Sequence, residues 1–528
     1  MTRPSRLFGA LLALIVGPVA AQQPYDIVIR GGTVLDGTGA PGFRADVGIA
    51  NGRIVRVARQ GLPAESGRRV IDATGHVVAP GFIDLHAHIE GILRMPDAES
   101  AVRQGLTLVV GGPDGGGPSP FDAYLKRVEA LPLGPNVAYL TGHNTIRRAV
   151  MGLADRPPTA AELARMEGMV RDAMQEGAFG LSTGLFYLPG TFAKLDEVVA
   201  LSRVAAAEGG IYTSHLREEG LGLLRGVAEA MEIGRQAKIP VVLTHHKAVG
   251  KAMWGASRQT MAMLDSARAA GTDVMADQYP YTASSTSFSV LIPAWAREGG
   301  DSAFARRVKD PALRDSIAKG IVFILENDRG GGDLRRVQFA SVRWKKDLEG
   351  RTLYDWAVER GVPTTSRGAV DLVIEGELNG SASMVYHVMD EGDVERIMKH
   401  PMTMIASDGS LNRPGEGVPH PRGYGTFPRV LGVYVRERGV LTLPDAVRKM
   451  TSLPASRLGL TDRGKIAEGL VADVTIFDPA TVKDRATFTA PHQYPDGIPY
   501  VIVNGVPVVD AGVFTTNRPG RVLRRTAR

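Results

Sequence analysis

Cysteine is absent from the 528 residues of the chain. The absence excludes a disulfide framework, a thiolate metal ligand, a cysteine nucleophile and a lipid anchor attached through sulfur. A bound metal ion must therefore be held by histidine and carboxylate side chains. Long apolar runs are also missing beyond the amino terminus, so we expect no membrane association once that first segment is removed.

The amino-terminal segment has the three-part layout of a cleavable export signal. Arg3 and Arg6 precede an apolar run over residues 7–19, and a Val-Ala-Ala triplet ends just before Gln22. An uncleaved membrane anchor is the alternative, but the run is short for a bilayer and small residues follow it. We predict that residues 1–22 are removed and that the mature protein is periplasmic or secreted.

The net charge of +6 would suit a nucleic-acid partner. Several of the basic residues, however, fall in the export signal and in the terminal segment RVLRRTAR, and the internal charges alternate in sign. This pattern favours a solvated surface, so we expect no nucleic-acid partner. The sequence leaves the oligomeric state open.

Both ends of the chain contain short alternating apolar runs broken by glycine and Asn-Gly turns, which indicate β-hairpins. The first set begins at Tyr25 with YDIVIRGGTVLDGTG, and the second includes GKIAEGLVADVTIFDP and YVIVNGVPVVDAG. Each end alone has too few strands to bury a sheet face. We predict one small β-sandwich built from residues 23–80 and 456–528, the latter range including the terminal tail.

Between these ends, apolar runs that finish in a polar residue or glycine alternate with helix-like stretches, as in βα units. Eight such runs occur: GFIDLHAH, LTLVVGG, NVAYLTGH, FGLSTGL, IYTSHL, VVLTHH, VMADQYPY and TMIASDG. They predict an α/β fold, a TIM-type (β/α)8 barrel over residues 81–455, with its site at the carboxyl ends of the strands. The gap between Tyr281 and Gly409 is the longest, so we expect a lid insertion around residues 290–350 over the mouth of the site.

Histidine and aspartate residues cluster at the predicted strand ends. His86 and His88 stand two apart at the end of the first strand, so both imidazoles project from the same face of the pleat. His215 closes the fifth strand, His245 the sixth and Asp408 the eighth. Because a barrel brings these ends together, nitrogen and carboxylate ligands converge as zinc requires. We therefore predict a metal site there.

From about Tyr25 to Asp510 the chain resembles the amidohydrolase superfamily, and within it the D-aminoacylase branch of N-acyl-D-amino-acid deacylases. The matching stretches span the whole predicted barrel in the family's order: GFIDLHAH, GHNTIRRAVMG, GLSTGLFYLPG, YTSHLREEG, THHKAVG, DQYPYTASST, ASDGS and HPRGYGTFPR.

The resemblance implies a centre of one or two Zn²⁺ ions. The residues matching its ligands fall into two positions, the first with His86, His88 and Asp408 and the second with His215 and His245. We interpret His143 and His246 as structural, although both lie at strand ends.

The ligand that bridges the two positions departs from the family pattern. Relatives commonly carry a cysteine in a Gly-Asn-Cys-Gly loop, or a glutamate, whereas this chain reads GGPDGGG. Asp114 is the best match, and the alternative is a turn-forming aspartate in a glycine-rich loop. Because aspartate is shorter than glutamate and harder than a thiolate, the departure concerns mainly the second metal ion.

The resemblance also implies catalytic and substrate-binding residues. Asp408 is expected to act as general base and acid, and the Tyr279 hydroxyl to stabilise the developing oxyanion. An N-acyl amino acid carries a free carboxylate, which an arginine fork binds in two-point fashion. The residues matching this task and its helpers are Arg422, Lys247 and Ser285, and Tyr187 is a candidate for lining the acyl or side-chain pocket.

These expectations define a metal-dependent hydrolase that releases a carboxylate and a free D-amino acid from N-acyl-D-amino acids. Three alternatives stay open: a periplasmic dipeptidase for D-containing peptides, a cyclic-amide hydrolase of the hydantoinase type, and an inactive metal-binding relative. Arg422 and Lys247 favour a small-molecule substrate with a free carboxylate. The altered GGPDGGG loop is what keeps the inactive alternative open.

Overall fold

The computed structural model describes residues 24–526 of the chain. The predicted export signal, residues 1–22, lies outside the described residues. No helix within residues 24–526 is long and apolar enough to cross a membrane.

Parallel strands form the centre of the molecule, and each of the eight predicted runs contains one of them. The strands are Phe82–Asp84, Leu106–Gly111, Asn136–Tyr139, Gly180–Gly184, Ile211–His215, Val241–Leu243, Val274–Gln278 and Thr403–Ile405. The third strand continues as Thr141–Gly142, which pairs with the fourth, and Gly409–Ser410 after the eighth pairs with Ala87–His88 after the first. These pairings close the ring, so the predicted barrel is confirmed.

The barrel strands are buried along nearly their whole length because helices cover their outer face. Outside the insertion the helices are Glu99–Val102, Phe121–Glu129, His143–Met151, Ala160–Gln175, Leu195–Ala207, Leu223–Ala237, Ser257–Ala269, Glu391–Lys399, Arg422–Arg429, Leu443–Met450 and Ser452–Arg457. A wider-turned segment, Val430–Glu437, continues the helix that begins at Arg422. The helix Ala160–Gln175 begins with a capping box between Thr159 and Glu162, which satisfies its first free amides.

Strands from both ends of the chain form one nine-stranded sheet. Its strands are Tyr25–Val34, Phe43–Ala50, Arg53–Ala58, Gly67–Asp72, Val77–Pro80, Val474–Phe477, Tyr500–Val503, Val506–Asp510 and Val513–Phe514. Val77–Pro80 joins the two sets by pairing antiparallel with Val474–Phe477. One apolar core contains side chains from both sets, among them Ile29 and Val474.

The insertion lies between the seventh and eighth barrel strands. It comprises an antiparallel sheet of Ser284–Ser287, Val337–Ser341 and Ser383–Tyr386 with the helices Asp301–Arg307, Pro311–Asn327, Leu353–Glu359 and Val370–Leu378. Phe288, Phe339 and Trp356 form its aromatic core. The insertion thus begins before and ends after the predicted range 290–350. It borders the site described next, because Ser285 to Ser287 line the same cavity as the metal-ligating residues.

Candidate active site

Two groups of metal-ligating side chains meet at the carboxyl ends of the barrel strands. The first group is His86, His88, Asp114 and Asp408, and the second is Asp114, His215 and His245. Within each group, one ligand atom from every residue lies within 4.8 Å of the others. All six residues were predicted from the sequence as metal ligands, and the barrel brings all six together.

Asp114 belongs to both groups. Its Oδ1 lies 3.5 Å from His86 Nε2 and 3.4 Å from His245 Nε2, and its Oδ2 lies 3.5 Å from His88 Nε2 and 3.6 Å from His215 Nδ1. Burial raises the pKa of this carboxyl, but the neighbouring His86 and His245 outweigh burial and hold the pKa well below its ordinary value. Asp114 therefore occupies the bridging place rather than a remote turn.

The backbone at Asp114 explains how a short side chain reaches both groups. Its φ is 53°, in the left-handed region that aspartate and asparagine enter more readily than most residues. The loop stays close to the barrel: the amide of Gly115 donates to Ser182 Oγ at 3.1 Å, and a Cβ at Gly117 would lie 2.4 Å from the Gly142 nitrogen. The glycines thus let the loop press against the barrel rim.

The first and last barrel strands are held together beside the site by Asp84. This buried carboxylate accepts the backbone amides of Ser407 at 3.0 Å and His86 at 3.2 Å, and also the Ser407 hydroxyl. The Asp408 amide in turn donates to the His86 carbonyl at 2.9 Å. These bonds fix the spacing between His86 and Asp408.

His245 is oriented through its second ring nitrogen. His245 Nδ1 lies 3.2 Å from Glu219 Oε1, which can accept its proton, and Lys247 Nζ donates to the same carboxylate at 2.5 Å, while the His245 amide donates to Asp277 at 2.6 Å. The imidazole therefore presents Nε2 toward Asp114. Such outer contacts commonly set which nitrogen of a histidine binds a metal ion.

The donor set fits one or two Zn²⁺ ions. Both ring nitrogens of His86 and His215, Nε2 of His245 and Oδ1 of Asp114 are buried without a hydrogen-bond partner. Leaving so many buried polar atoms unsatisfied is costly unless a cation binds them. Histidine and carboxylate ligands at one point are what zinc prefers in a chain without cysteine.

The predicted carboxylate-binding residues border the same cavity, which has a volume of about 600 Å³. Arg422 is 5 % exposed, and its Nη1 lies 2.7 Å from Asp408 Oδ2 while its Nη2 donates to the Ser285 carbonyl at 3.3 Å. Lys247 and Ser285 also line the cavity. The arginine therefore stands between the metal-ligating carboxylate and the insertion.

The two predicted tyrosines differ in their placement. Tyr187 lines the cavity, with its ring 4.5 Å from that of His215, and its hydroxyl accepts from Thr286 at 3.0 Å. Tyr279 is set back from the cavity wall and is 1 % exposed, and its hydroxyl contacts the Met389 sulfur at 3.7 Å. Its ring packs 4.8 Å from the guanidinium carbon of Arg422.

Glu219 and Asp277 were missed by the sequence analysis although both contact the ligand groups. Glu219 lies 3.6 Å from His215 Nε2, and Asp277 lies 3.9 Å from His86 Nδ1. Glu219 stands four residues after His215, a spacing that could have drawn notice. The histidines interpreted as structural have partners elsewhere: His143 pairs with Glu197 at 2.8 Å and His246 with Thr260 at 2.8 Å.

Comparison with known proteins places this geometry in a family. A model of the amidohydrolase family matches residues 69–310 and 267–509. The chain is 38 % identical to a D-aminoacylase of Alcaligenes xylosoxydans xylosoxydans, over 96 % of this chain and 99 % of that protein. It is 40 % identical to an N-acyl-D-glutamate deacylase of the same organism, over 96 % and 98 % of the two chains.

Solved structures agree with the sequence relatives. A crystal structure of D-aminoacylase superposes with a TM-score of 0.81 at 38 % identity, covering 95 % of this chain and 100 % of that one. An N-acyl-D-glutamate deacylase from Bordetella bronchiseptica, bound to zinc and a phosphonate inhibitor, gives 0.81 at 37 % identity over 95 % and 99 % of the chains. The chain therefore belongs to the amidohydrolase family, in its D-aminoacylase branch.

Proposed function

We propose that this protein hydrolyses the amide bond of N-acyl-D-amino acids, releasing a carboxylate and a free D-amino acid. The observation that carries the proposal is Asp408, whose one carboxylate contacts both a predicted metal ligand and the predicted substrate-binding arginine. Its Oδ1 lies 3.1 Å from His88 Nε2 and its Oδ2 lies 2.7 Å from Arg422 Nη1. A carboxylate in this position can transfer protons at the reacting amide while the arginine binds the carboxylate of the same substrate.

The proton transfers belong to Asp408. Burial raises the pKa of its carboxyl, but Arg422 and His245 outweigh burial and hold the pKa well below its ordinary value. The group is therefore ionised and can accept the proton of the attacking water. It then returns that proton to the nitrogen of the leaving amino acid. When bound, Zn²⁺ makes water more acidic and polarises the amide carbonyl.

The oxyanion is assigned to the Tyr279 hydroxyl. Burial raises the pKa of Tyr279 well above its ordinary value, so the hydroxyl keeps its proton and remains a donor. Its present acceptor is a methionine sulfur, which is a weak one. Little hydrogen-bond energy is therefore lost when the hydroxyl turns toward a substrate oxygen.

The carboxylate of the substrate is assigned to Arg422, with Lys247 and Ser285 beside it. A free carboxylate is present in an N-acyl amino acid and absent from a cyclic amide, so this end of the cavity favours the linear substrate. Tyr187, whose ring packs against His215, contacts the acyl group or side chain in this arrangement.

The test is hydrolysis of N-acetyl-D-amino acids and their L enantiomers by protein lacking residues 1–22, with zinc content measured on the same preparation. We expect cleavage of the D forms that is abolished by a chelator and restored by Zn²⁺. Protein that is loaded with metal but inert on this panel contradicts the proposal. Release of product from D-containing dipeptides or cyclic amides would then identify the alternative activity.

We further propose that the enzyme works in the periplasm or outside the cell. The basis is the amino-terminal segment, with Arg3 and Arg6 before the apolar run of residues 7–19. Expression of the full chain in a Gram-negative host, followed by fractionation and amino-terminal sequencing, tests this proposal. A mature chain in the periplasmic fraction that begins near Gln22 supports it, whereas an intact cytoplasmic chain contradicts it.

A further inference from the structure

Arg329 is a buried arginine that the reaction described above does not use. It follows the helix Pro311–Asn327 of the insertion, is 3 % exposed and lines the catalytic cavity. Its Nε has no hydrogen-bond partner. A buried guanidinium without an anion is costly, so its retention needs a reason.

The surroundings of Arg329 hold the cation in place without neutralising it. The guanidinium carbon lies 4.9 Å from the centre of the Phe186 ring and 5.6 Å from that of Tyr386. Contacts with aromatic faces favour a cation and leave its N–H groups free for another partner. Phe186 also stacks on His215 at 5.7 Å, so this corner adjoins the metal-ligating residues.

Two acidic side chains near this corner are paired with other cations, and a third, Asp328, is held by burial at a raised pKa that the neighbouring Arg329 lowers only in part. Glu219 contacts Lys247 at 2.5 Å, and Glu377 contacts Arg297 at 2.8 Å. No ion pair between residues 24–526 includes Arg329. The positive charge is therefore available to an anion that enters the cavity.

The position of Arg329 also indicates which part of a ligand it would meet. Together with Tyr187, Leu188 and Ser287 it lines both the catalytic cavity and a neighbouring one of about 510 Å³. Arg422 lies at the Asp408 side of the catalytic cavity, whereas Arg329 lies on the side of Phe186 and Tyr187. The two arginines are thus suited to two separate anionic groups of one molecule.

We propose that Arg329 binds a second carboxylate of the substrate, so that the preferred substrates are dicarboxylic N-acyl-D-amino acids. This inference rests on the proposed function, in which Arg422 holds the first carboxylate. The second carboxylate belongs either to an acidic side chain or to the far end of a dicarboxylic acyl group. Both sources supply the planar anion that a guanidinium binds through two parallel hydrogen bonds.

The test compares kcat/KM for matched substrates that differ in one charge. N-acetyl-D-glutamate against N-acetyl-D-glutamine examines the side chain, and N-succinyl-D-leucine against N-acetyl-D-leucine examines the acyl group. We expect the wild-type protein to prefer one of the two charged substrates by about tenfold or more, as a charge-assisted hydrogen bond provides. The pair that shows the preference identifies the source of the carboxylate.

In Arg329→Gln that preference should vanish while kcat/KM for the neutral substrates stays within about threefold. Arg329→Lys keeps the positive charge but lacks the paired N–H donors of the guanidinium, so it should retain part of the preference. A partial preference in this variant shows that the loss in Arg329→Gln does not come from misfolding. The matched control is Arg148→Gln, an exposed arginine of the same cavity whose guanidinium donates to the Leu188 carbonyl at 3.1 Å. It should leave the preference unchanged.

Three results would overturn the inference: no preference in the wild type, an equal loss on every substrate in Arg329→Gln, or the same shift in Arg148→Gln. If no N-acyl-D-amino acid is hydrolysed, the proposed function fails, and calorimetry then decides the arginine site separately. Zinc-loaded protein that binds N-acetyl-D-glutamate or N-succinyl-D-leucine more tightly than its neutral partner, with the difference lost in Arg329→Gln, supports the site. Equal binding of the charged and neutral partners overturns it.

Discussion

Arg422 Nη1 lies 2.7 Å from Asp408 Oδ2 inside the cavity, so the arginine assigned to the substrate carboxylate also contacts the residue assigned to proton transfer. Both side chains are buried, with 5 % of each residue exposed. The nearby guanidinium keeps the Asp408 carboxylate ionised although burial opposes ionisation, and the contact fixes the orientation of the carboxylate. Substrate binding and proton transfer therefore depend on two side chains in direct contact. Variants of Asp408 and of Arg422 should show which residue carries which role.

Asp408→Asn should abolish turnover while leaving zinc bound. The amide keeps the size of the side chain but cannot take the proton of water, and loss of a general acid and base lowers kcat by about 10²–10⁴-fold. The group of Asp114, His215 and His245 does not include Asp408, so we expect metal to remain there. Kinetics and metal analysis on the same sample test this prediction, and a variant with wild-type kcat would exclude Asp408 as the proton carrier.

Arg422→Gln should raise KM for N-acetyl-D-amino acids and lower kcat/KM by about 10–100-fold, the worth of a charge-assisted hydrogen bond. N-acetyl-D-leucinamide, in which an amide replaces the carboxylate, is the control substrate. Its hydrolysis should change little in the variant, because it lacks the group that the arginine binds. An equal fall on both substrates would mean that Arg422 acts through Asp408 rather than on the substrate.

Asp114→Asn should lower the zinc content of the purified protein. Asparagine tolerates the left-handed backbone at φ 53°, so the loop is preserved while the charge shared by both ligand groups is lost. In the wild type, treatment with a chelator should lower the melting temperature, because a ligand that binds only the folded state stabilises it. That decrease should be smaller in Asp114→Asn. Full metal occupancy in the variant would show that Asp114 is not a ligand.

Lys449 should make the free energy of unfolding vary with pH in the alkaline range. Its side chain is buried and donates to the Thr403 carbonyl at 3.1 Å, and burial lowers its pKa to about 8. The folded state therefore releases this proton near pH 8, whereas the unfolded chain retains it to about pH 10.5. Because the unfolded state binds more protons between these values, the free energy of unfolding rises with pH by up to about 1.4 kcal/mol per pH unit.

The measurement is urea unfolding at pH 8, 9 and 10 for the wild type and for Lys449→Met, which cannot titrate. The free energy of unfolding of the wild type relative to this variant should increase with pH. Lys309→Met, at an exposed position, is the control and should show no such trend against the wild type. A constant difference between wild type and Lys449→Met would mean that Lys449 stays charged in the folded protein.

The barrel and most of its metal-ligating residues could be predicted from the sequence because burial and strand order leave a direct pattern in it. Strands such as Leu106–Gly111 are buried on both faces, so they appear as continuous apolar runs. His86, His215 and Asp408 stand where such runs end, and barrel closure alone suffices to bring strand ends together. Asp114 required the resemblance to relatives, because nothing in GGPDGGG by itself indicates a metal ligand.

What the sequence did not reveal depends on packing between distant segments. Arg329 belongs to the insertion, and only the placement of that insertion against Phe186 turns an ordinary arginine into a buried cation. The direction of the Tyr279 hydroxyl likewise depends on Met389, which is 110 residues away in the chain. Neither relationship has a periodicity or motif from which it could be read.

The nine-stranded sheet can be completed only after nearly the whole chain has been synthesised. Val77–Pro80 is made early, yet the strand that covers its edge, Val474–Phe477, emerges only after the whole barrel has been synthesised. Until then the amino-terminal strands carry an unpaired edge, which is prone to associate with other chains. A ribosome that stalls before residue 474 thus leaves a chain with an open sheet. A chain truncated before residue 474 should therefore aggregate more readily than the full-length protein.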